Sequence, residues 1–150
     1  MRIVLTADHA GVDLKDELAA WLEEQGHDVL DLGTHGHESV DYPRFGAMLA
    51  EAIADGRAER GITDCGSGIG VAIAANRNPA CRCAQVDEPL SATLARQHND
   101  ANAIALGARL IGPEMARACV AAFLSTDFLG GRHQRRVDQL ADPNPLQEPA

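Results

Sequence analysis

The chain has 150 residues, 45% of them hydrophobic and 23% charged, with a formal net charge of -9. That length suits one domain over residues 1–150, and no apolar run approaches the roughly 20 residues of a membrane-spanning helix. The acidic balance argues against broad attraction to nucleic acid or to a membrane surface, so an anion must be bound locally.

Short β-branched runs alternate with helix-sized segments, the pattern of βαβ units that build a parallel sheet. The first strand is expected over Ile3 to Ala7, followed by a helix carrying Leu14, Leu18, Trp21 and Leu22 on one stripe and stopping at Gly26. A second strand spans Asp28 to Leu32, and its helix groups Phe45, Leu49, Ala52 and Ile53 before Gly56. The third strand, Gly61 to Asp64, runs through a glycine-rich turn into the small-residue helix Val71 to Ala75. Strands at Arg82 to Val86 and Ala103 to Leu106 follow. Helices from Pro89 to Gln97 and from Pro113 to Leu124 each begin on a proline, which the first helical turn tolerates. A short helix is expected from Arg132 to Leu140, and residues 142–150, rich in proline, read as an irregular tail. The fold class is therefore α/β: one doubly wound, Rossmann-like domain with a five-stranded parallel sheet in flavodoxin-like order 2-1-3-4-5 and helices on both faces.

Ligands of such sheets bind beyond the carboxyl ends of the strands. That edge should gather Asp8 and His9, Gly33 and Thr34, Cys65 to Gly70, and Asp87 and Glu88. In Cys65-Gly66-Ser67-Gly68-Ile69-Gly70, glycines let successive backbone N–H groups converge on an anion. Cys65 beside this nest reads either as a small buried hydrophobe or as a thiolate. A phosphatase-type nucleophile needs an arginine closing the loop six positions on, where this sequence has Val71, so a base is the better functional reading. Ser67 and the turn backbone would then hold an enediolate oxygen.

Asp8 suits a sugar hydroxyl or a helix cap, and His9 suits a phosphate. His98, placed just after the fourth helix, suits a general acid or a favourable partner of the helix dipole. The chain has twelve arginines against the single Lys15, and Arg132, Arg135 and Arg136 cluster near one end. The cluster is a solvated helix face or a clamp for phosphate oxygens. His35 and His37 lack a third ligand at a telling spacing, and Cys81 and Cys83 alternate on a strand, so no metal site is expected. The four cysteines form no paired framework and the amino-terminal segment reaches Asp8 and His9 too soon for a secretory signal, which points to the cytoplasm.

Several motifs in order resemble the RpiB/LacA/LacB sugar-phosphate isomerase family, most nearly its ribose-5-phosphate isomerase B branch. They are Asp8-His9-Ala10-Gly11, Asp41-Tyr42-Pro43, Cys65 to Gly70, Ala74-Ala75-Asn76, Arg96-Gln97-His98-Asn99-Asp100, Leu106-Gly107-Ala108-Arg109 and Gly130-Gly131-Arg132-His133-Gln134. The resemblance implies an aldose–ketose isomerase converting ribose 5-phosphate and ribulose 5-phosphate through an enediolate, with no metal or organic cofactor. It implies Cys65 as the base, Ser67 as the hydroxyl assisting transfer between the two oxygens, and His98 in ring opening. Asp8, Tyr42 and Asn99 fall around the sugar. His9, Arg109, Arg132 and Arg136 match the phosphate-side positions, and the backbone from Gly66 through Gly68 and Ile69 to Gly70 matches the enediolate cradle.

His98 precedes the fifth strand and so should lie at the amino edge of the sheet, away from Cys65. Shared sites in a homodimer, or in a dimer of dimers, follow if both serve one reaction. Other substrates within the resemblance are allose 6-phosphate, galactose 6-phosphate and erythrose or erythrulose 4-phosphate. A non-catalytic phosphate- or nucleotide-binding module is the other class, but the lysine expected after a receiver's last strand is missing and aromatics for stacking a flavin are few. One departure stands out: Asp64 occupies a position where the family pattern has an apolar strand residue. Relatives that carry a carboxylate elsewhere in this loop differ from this chain, which reads Val71-Ala72 there.

Overall fold

A computed structural model describes residues 1–142 and 144–147. In chain order the elements are β1 (Arg2–Ala7), α1 (Val12–Glu24), β2 (Asp28–Asp31), α2 (Tyr42–Ala54), β3 (Arg60–Cys65), α3 (Ile69–Ala75), β4 (Cys83–Gln85), α4 (Pro89–Asn99), β5 (Ala103–Gly107), α5 (Pro113–Ser125) and α6 (Arg132–Leu140). The strands form one sheet in which every pairing is parallel. Of the expected tail, residues 142 and 144–147 form neither helix nor strand, while 143 and 148–150 lie outside the described residues.

The sheet order is β2-β1-β3-β5-β4, which corrects the expected 2-1-3-4-5 at its last two positions. Burial gives the reason. All five residues of β5 are buried, as a strand covered on both faces and paired on both edges must be. Strand β4 has three residues and only Cys83 fully buried, so it takes the edge. Arg82, expected inside this strand, instead donates its backbone N–H to the Asn102 side chain.

Alternation along the strands divides the core between two faces. On one, Ile3, Leu5, Ile62, Ile104 and Leu106 pack against Leu14, Leu18 and Leu22 of α1 and against Val120 and Phe123 of α5. On the other, Val4, Cys65, Ala103 and Ala105 meet Leu49 and Ala52 of α2 and Val71 and Ala75 of α3. Each large aliphatic side chain so buried contributes about 1.5–3 kcal/mol. The second face is built largely of alanine and glycine, and this lets α2 and α3 approach closely. A Cβ on Gly46 of α2 would lie 2.6 Å from the Val71 carbonyl oxygen of α3. Helix α1 ends as expected, with Gly26 at φ +88 where the chain reverses, and Gly56 at φ +73 does the same for α2.

Candidate active site

The β1 and β3 strands are neighbours whose following helices lie on opposite faces of the sheet, and such a divergence opens a crevice at the carboxyl edge. Asp8 stands on one side of it and Cys65 on the other. Asp8 is buried, and its Oδ1 accepts the backbone N–H groups of Ala10 (2.9 Å) and Gly11 (3.2 Å). Asp8 therefore shapes the turn into α1, whose N-cap position is Gly11. His9 follows it, and its Nδ1 accepts the Val40 N–H at 3.2 Å. With Nδ1 engaged as an acceptor, the neutral ring carries its proton on Nε2, as a donor for an anion.

Cys65 is the last residue of β3 and the chain turns at once through Gly66, Ser67 and Gly68. Gly68 has φ +77, and a Cβ there would lie 2.9 Å from the Leu106 carbonyl carbon, so both backbone and space demand glycine. This conformation aims the Gly68 N–H at Cys65 Sγ at 3.1 Å, a donor placed where negative charge on sulfur would be held. The Ser67 hydroxyl accepts from the Ile69 N–H at 3.2 Å. Arg109 is exposed after β5, yet its side chain lies over Gly66: a Cβ on that glycine would come 3.2 Å from the guanidinium. Tyr42, first residue of α2 and 45% exposed, sets its ring against Gly70, where an added Cβ would lie 2.5 Å from the ring.

Strand alternation separates Asp64 from the sulfur, as expected. Cys65 packs with Val71 and Ala72, whereas Asp64 lies against Gly11 at the start of α1. Cys65 is 5% exposed in the single chain. A cleft of about 480 Å³ runs beside its turn, lined by Ile69, Ala72, Ile73 and Gln85, without Cys65 in the lining.

His98, Asn99, Arg132 and Arg136 stand elsewhere. His98 lies in the last turn of α4 rather than after it, because that helix continues to Asn99. Since α4 leads into β5, its end is at the amino edge of the sheet, opposite to Cys65. There His98, Asn99, His133 and Arg136 border a second cleft, of about 290 Å³. Arg132 and Arg136 are one helical turn apart on exposed positions of α6. The chain thus gathers Asp8, His9, Tyr42, Cys65 to Gly70 and Arg109 at one edge, and His98, Asn99, Arg132 and Arg136 at the other.

Other candidates have structural roles. Glu88 caps α4, accepting the N–H groups of Leu90 and Ser91. His37 is exposed and pairs with Asp13 at 2.7 Å. Burial pushes the Cys81 thiol up to about 12, that of Cys119 up to about 11, and that of Cys83 well above its ordinary value, consistent with packing residues. Among the described residues, no group of three or more His, Cys, Asp or Glu side chains is arranged to hold a metal ion, and no helix is long and apolar enough to cross a membrane.

The sequence profile described as ribose/galactose isomerase matches residues 3–140. This chain belongs to the ribose/galactose isomerase family. It is 44% identical over 139 residues to ribose-5-phosphate isomerase B of Escherichia coli strain K12, covering 93% of each chain. It is 40% identical to the D-erythrulose-4-phosphate isomerase of Pectobacterium atrosepticum over 141 residues, again 93% of each. Among solved structures, ribose-5-phosphate isomerase B of Clostridium thermocellum superposes with a TM-score of 0.93 at 46% identity, covering 94% of this chain and 95% of that one.

Within this isomerase family member, two further residues support the candidate groups, one at each edge of the sheet. Lys15, with its side chain fully buried, pairs with Asp31 at 2.5 Å and Asp16 at 2.7 Å, tying α1 to β2. Burial alone would lower its ammonium pKa, but the two carboxylates outweigh it and raise it. The signal was its position one residue after Leu14 and three before Leu18, at the margin of an apolar stripe. The other is His133, which sits inside one of the quoted motifs and stacks on His98.

Proposed function

We propose that residues 1–150 form one isomerase domain that interconverts ribose 5-phosphate and ribulose 5-phosphate. In this reading the Cys65 thiolate takes the proton from C2 of the open-chain aldose and returns it to C1. The Ser67 hydroxyl carries the proton between O1 and O2, and the N–H groups from Gly66 to Gly70 hold the enediolate oxygen. The supporting observation is the Gly68 N–H directed at Cys65 Sγ from a turn that only glycine can make. His9 and Arg109 bind the phosphate from the carboxyl edge, and Asp8 and Tyr42 frame the sugar. Binding energy from that remote dianion holds the reacting carbon against the base.

The remaining groups come from a second copy. Cys65 is nearly covered in one chain, while Ile69 and Ile73 of the adjacent α3 are 53% and 56% exposed, an apolar face that a partner would bury. A two-fold homodimer, alone or paired into a tetramer, would bring His98, Asn99, Arg132 and Arg136 of one chain to Cys65 of the other. All four cysteines are free and buried, which suits a reducing cytoplasm.

A second reading keeps the chemistry and changes the sugar. The likeness to an erythrulose-phosphate isomerase favours a four-carbon substrate, and allose and galactose 6-phosphates belong in the same panel. A coupled assay over four-, five- and six-carbon sugar phosphates ranks them. Ribose 5-phosphate is expected to have the highest kcat/KM, and Cys65→Ala to lose at least about a hundredfold on it. Preference for another sugar reassigns the substrate. Full activity of Cys65→Ala, or loss of wild-type activity to a chelator, contradicts the thiolate mechanism.

A further inference from the structure

The His98 and His133 rings lie with centroids 4.5 Å apart and planes within 13° of parallel. His98 comes from the last turn of α4 and His133 from the first turn of α6, so the stack is a tertiary contact between two helices. His133 is 7% exposed, and its backbone N–H bonds to the Gly130 carbonyl oxygen, in a turn where Gly130 and Gly131 both have positive φ. The turn holds the His133 backbone, and Val137 one helical turn on is likewise buried. His98 is only half-buried and borders the 290 Å³ cleft with Asn99 and Arg136.

We propose that His133 is a positioning residue for His98, fixing the plane of its ring and leaving His98 as the member of the pair that exchanges a proton with substrate. The inference rests on the reading of His98 as the residue that opens the sugar ring. Two imidazoles at this separation are costly to protonate together. The groups facing His133 oppose its protonation. Burial first, then His98, then Arg132 and Arg136 of its own helix keep His133 below the ordinary imidazole value. From α4 the additional polar neighbour is the uncharged Asn99. His98, half-buried at the mouth of the cleft, is the ring of the pair that substrate can reach. In ring opening the anomeric hydroxyl loses its proton, C1=O forms, the bond from C1 to the ring oxygen breaks, and that oxygen gains a proton. A ring held in one plane with one exchangeable proton suits that exchange. Arg132 and Arg136 flank His133 in sequence on both sides, so the same helix that offers phosphate-binding groups would align the proton carrier.

The test separates ring opening from enolisation. Ribulose 5-phosphate has its 5-hydroxyl esterified and cannot close a five-membered ring, so deuterium uptake at its C1 in heavy water reports the Cys65 step without ring opening. The ratio of ribose 5-phosphate isomerisation to C1 uptake is measured by proton NMR across pH for wild type, His133→Ala, His133→Phe, His98→Ala and Cys65→Ala, with melting temperature and assembly size for each. His133→Ala is expected to lower the ratio about tenfold, and His98→Ala further. His133→Phe preserves a flat partner without a second titrating nitrogen. It should recover most of the ratio and yield a single ionisation from His98. Equal loss of isomerisation and uptake in both His133 variants would mean a structural role only, and an unchanged ratio in His133→Ala would overturn the proposal. If His133→Ala does not fold, His133→Phe alone decides by its ratio and pH profile. The underlying reading fails separately, through undiminished uptake in Cys65→Ala or an unchanged ratio in His98→Ala.

Discussion

Asp64 places a carboxyl group with both oxygens buried and without a hydrogen-bond partner directly before the candidate base. Burial pushes its pKa well above the ordinary carboxylate range, Lys15 opposes this and Asp8 adds to it. The folded protein therefore prefers the protonated acid, whereas the unfolded chain ionises it above about pH 4. The sign follows: stability is intact below the unfolded value and declines as pH rises toward the folded one. Asp64→Val, close in size and suited to a strand, removes the unpartnered group and should stabilise the protein by about 1–3 kcal/mol. Urea unfolding at fixed protein concentration should show the gap between variant and wild type widening from pH 5 to pH 8. A constant gap would mean that Asp64 ionises freely in the fold. The sequence made Asp64 legible as a departure from a pattern, and alternation told which way it points. Its closeness to Gly11 and Lys15 was not legible, since that depends on how α1 seats on the sheet.

The turn that shapes the site leads from β3 into α3, and Gly46 of α2 sets how closely α2 packs on α3. Gly46→Ala would drive a Cβ into the Val71 carbonyl oxygen, backbone that cannot rotate away. A loss of about 1–3 kcal/mol is expected in the urea midpoint, together with reduced kcat as α3 shifts under the Gly66 to Gly70 cradle. Unchanged stability and rate would show that α3 does not hold the cradle rigidly. At this scale the hydrophobic periods located every element within a few residues, because local patterns encode local structure. The exchange of β4 and β5 was less legible. It turns on which strand is buried on both faces, and a three-residue strand flanked by Arg82 carries little local signal for edge or interior. The end of α4 shows the same limit: Asp100 caps it in a left-handed conformation at φ 44, two residues beyond His98.

For the molecule as a whole, the candidate groups divide between two edges of one sheet, and the topology alone keeps them apart. That division was legible from the order of motifs along the chain: Cys65 ends a strand and His98 precedes one. What the sequence could not reveal was the stacked pair at the far edge, because His98 and His133 are distant in the chain and meet only through the packing of α6 on α4. The shared-site account is tested most directly by subunit mixing. Cys65→Ala and His98→Ala proteins are each nearly inactive in this account. After demonstrated exchange of subunits, half of the dimers are mixed, and each mixed dimer holds one site with Cys65 and His98 both intact. Ribose 5-phosphate isomerisation should therefore return to about a quarter of the wild-type rate. No recovery after exchange would place both residues in the same subunit's site or in no common site, contradicting the account.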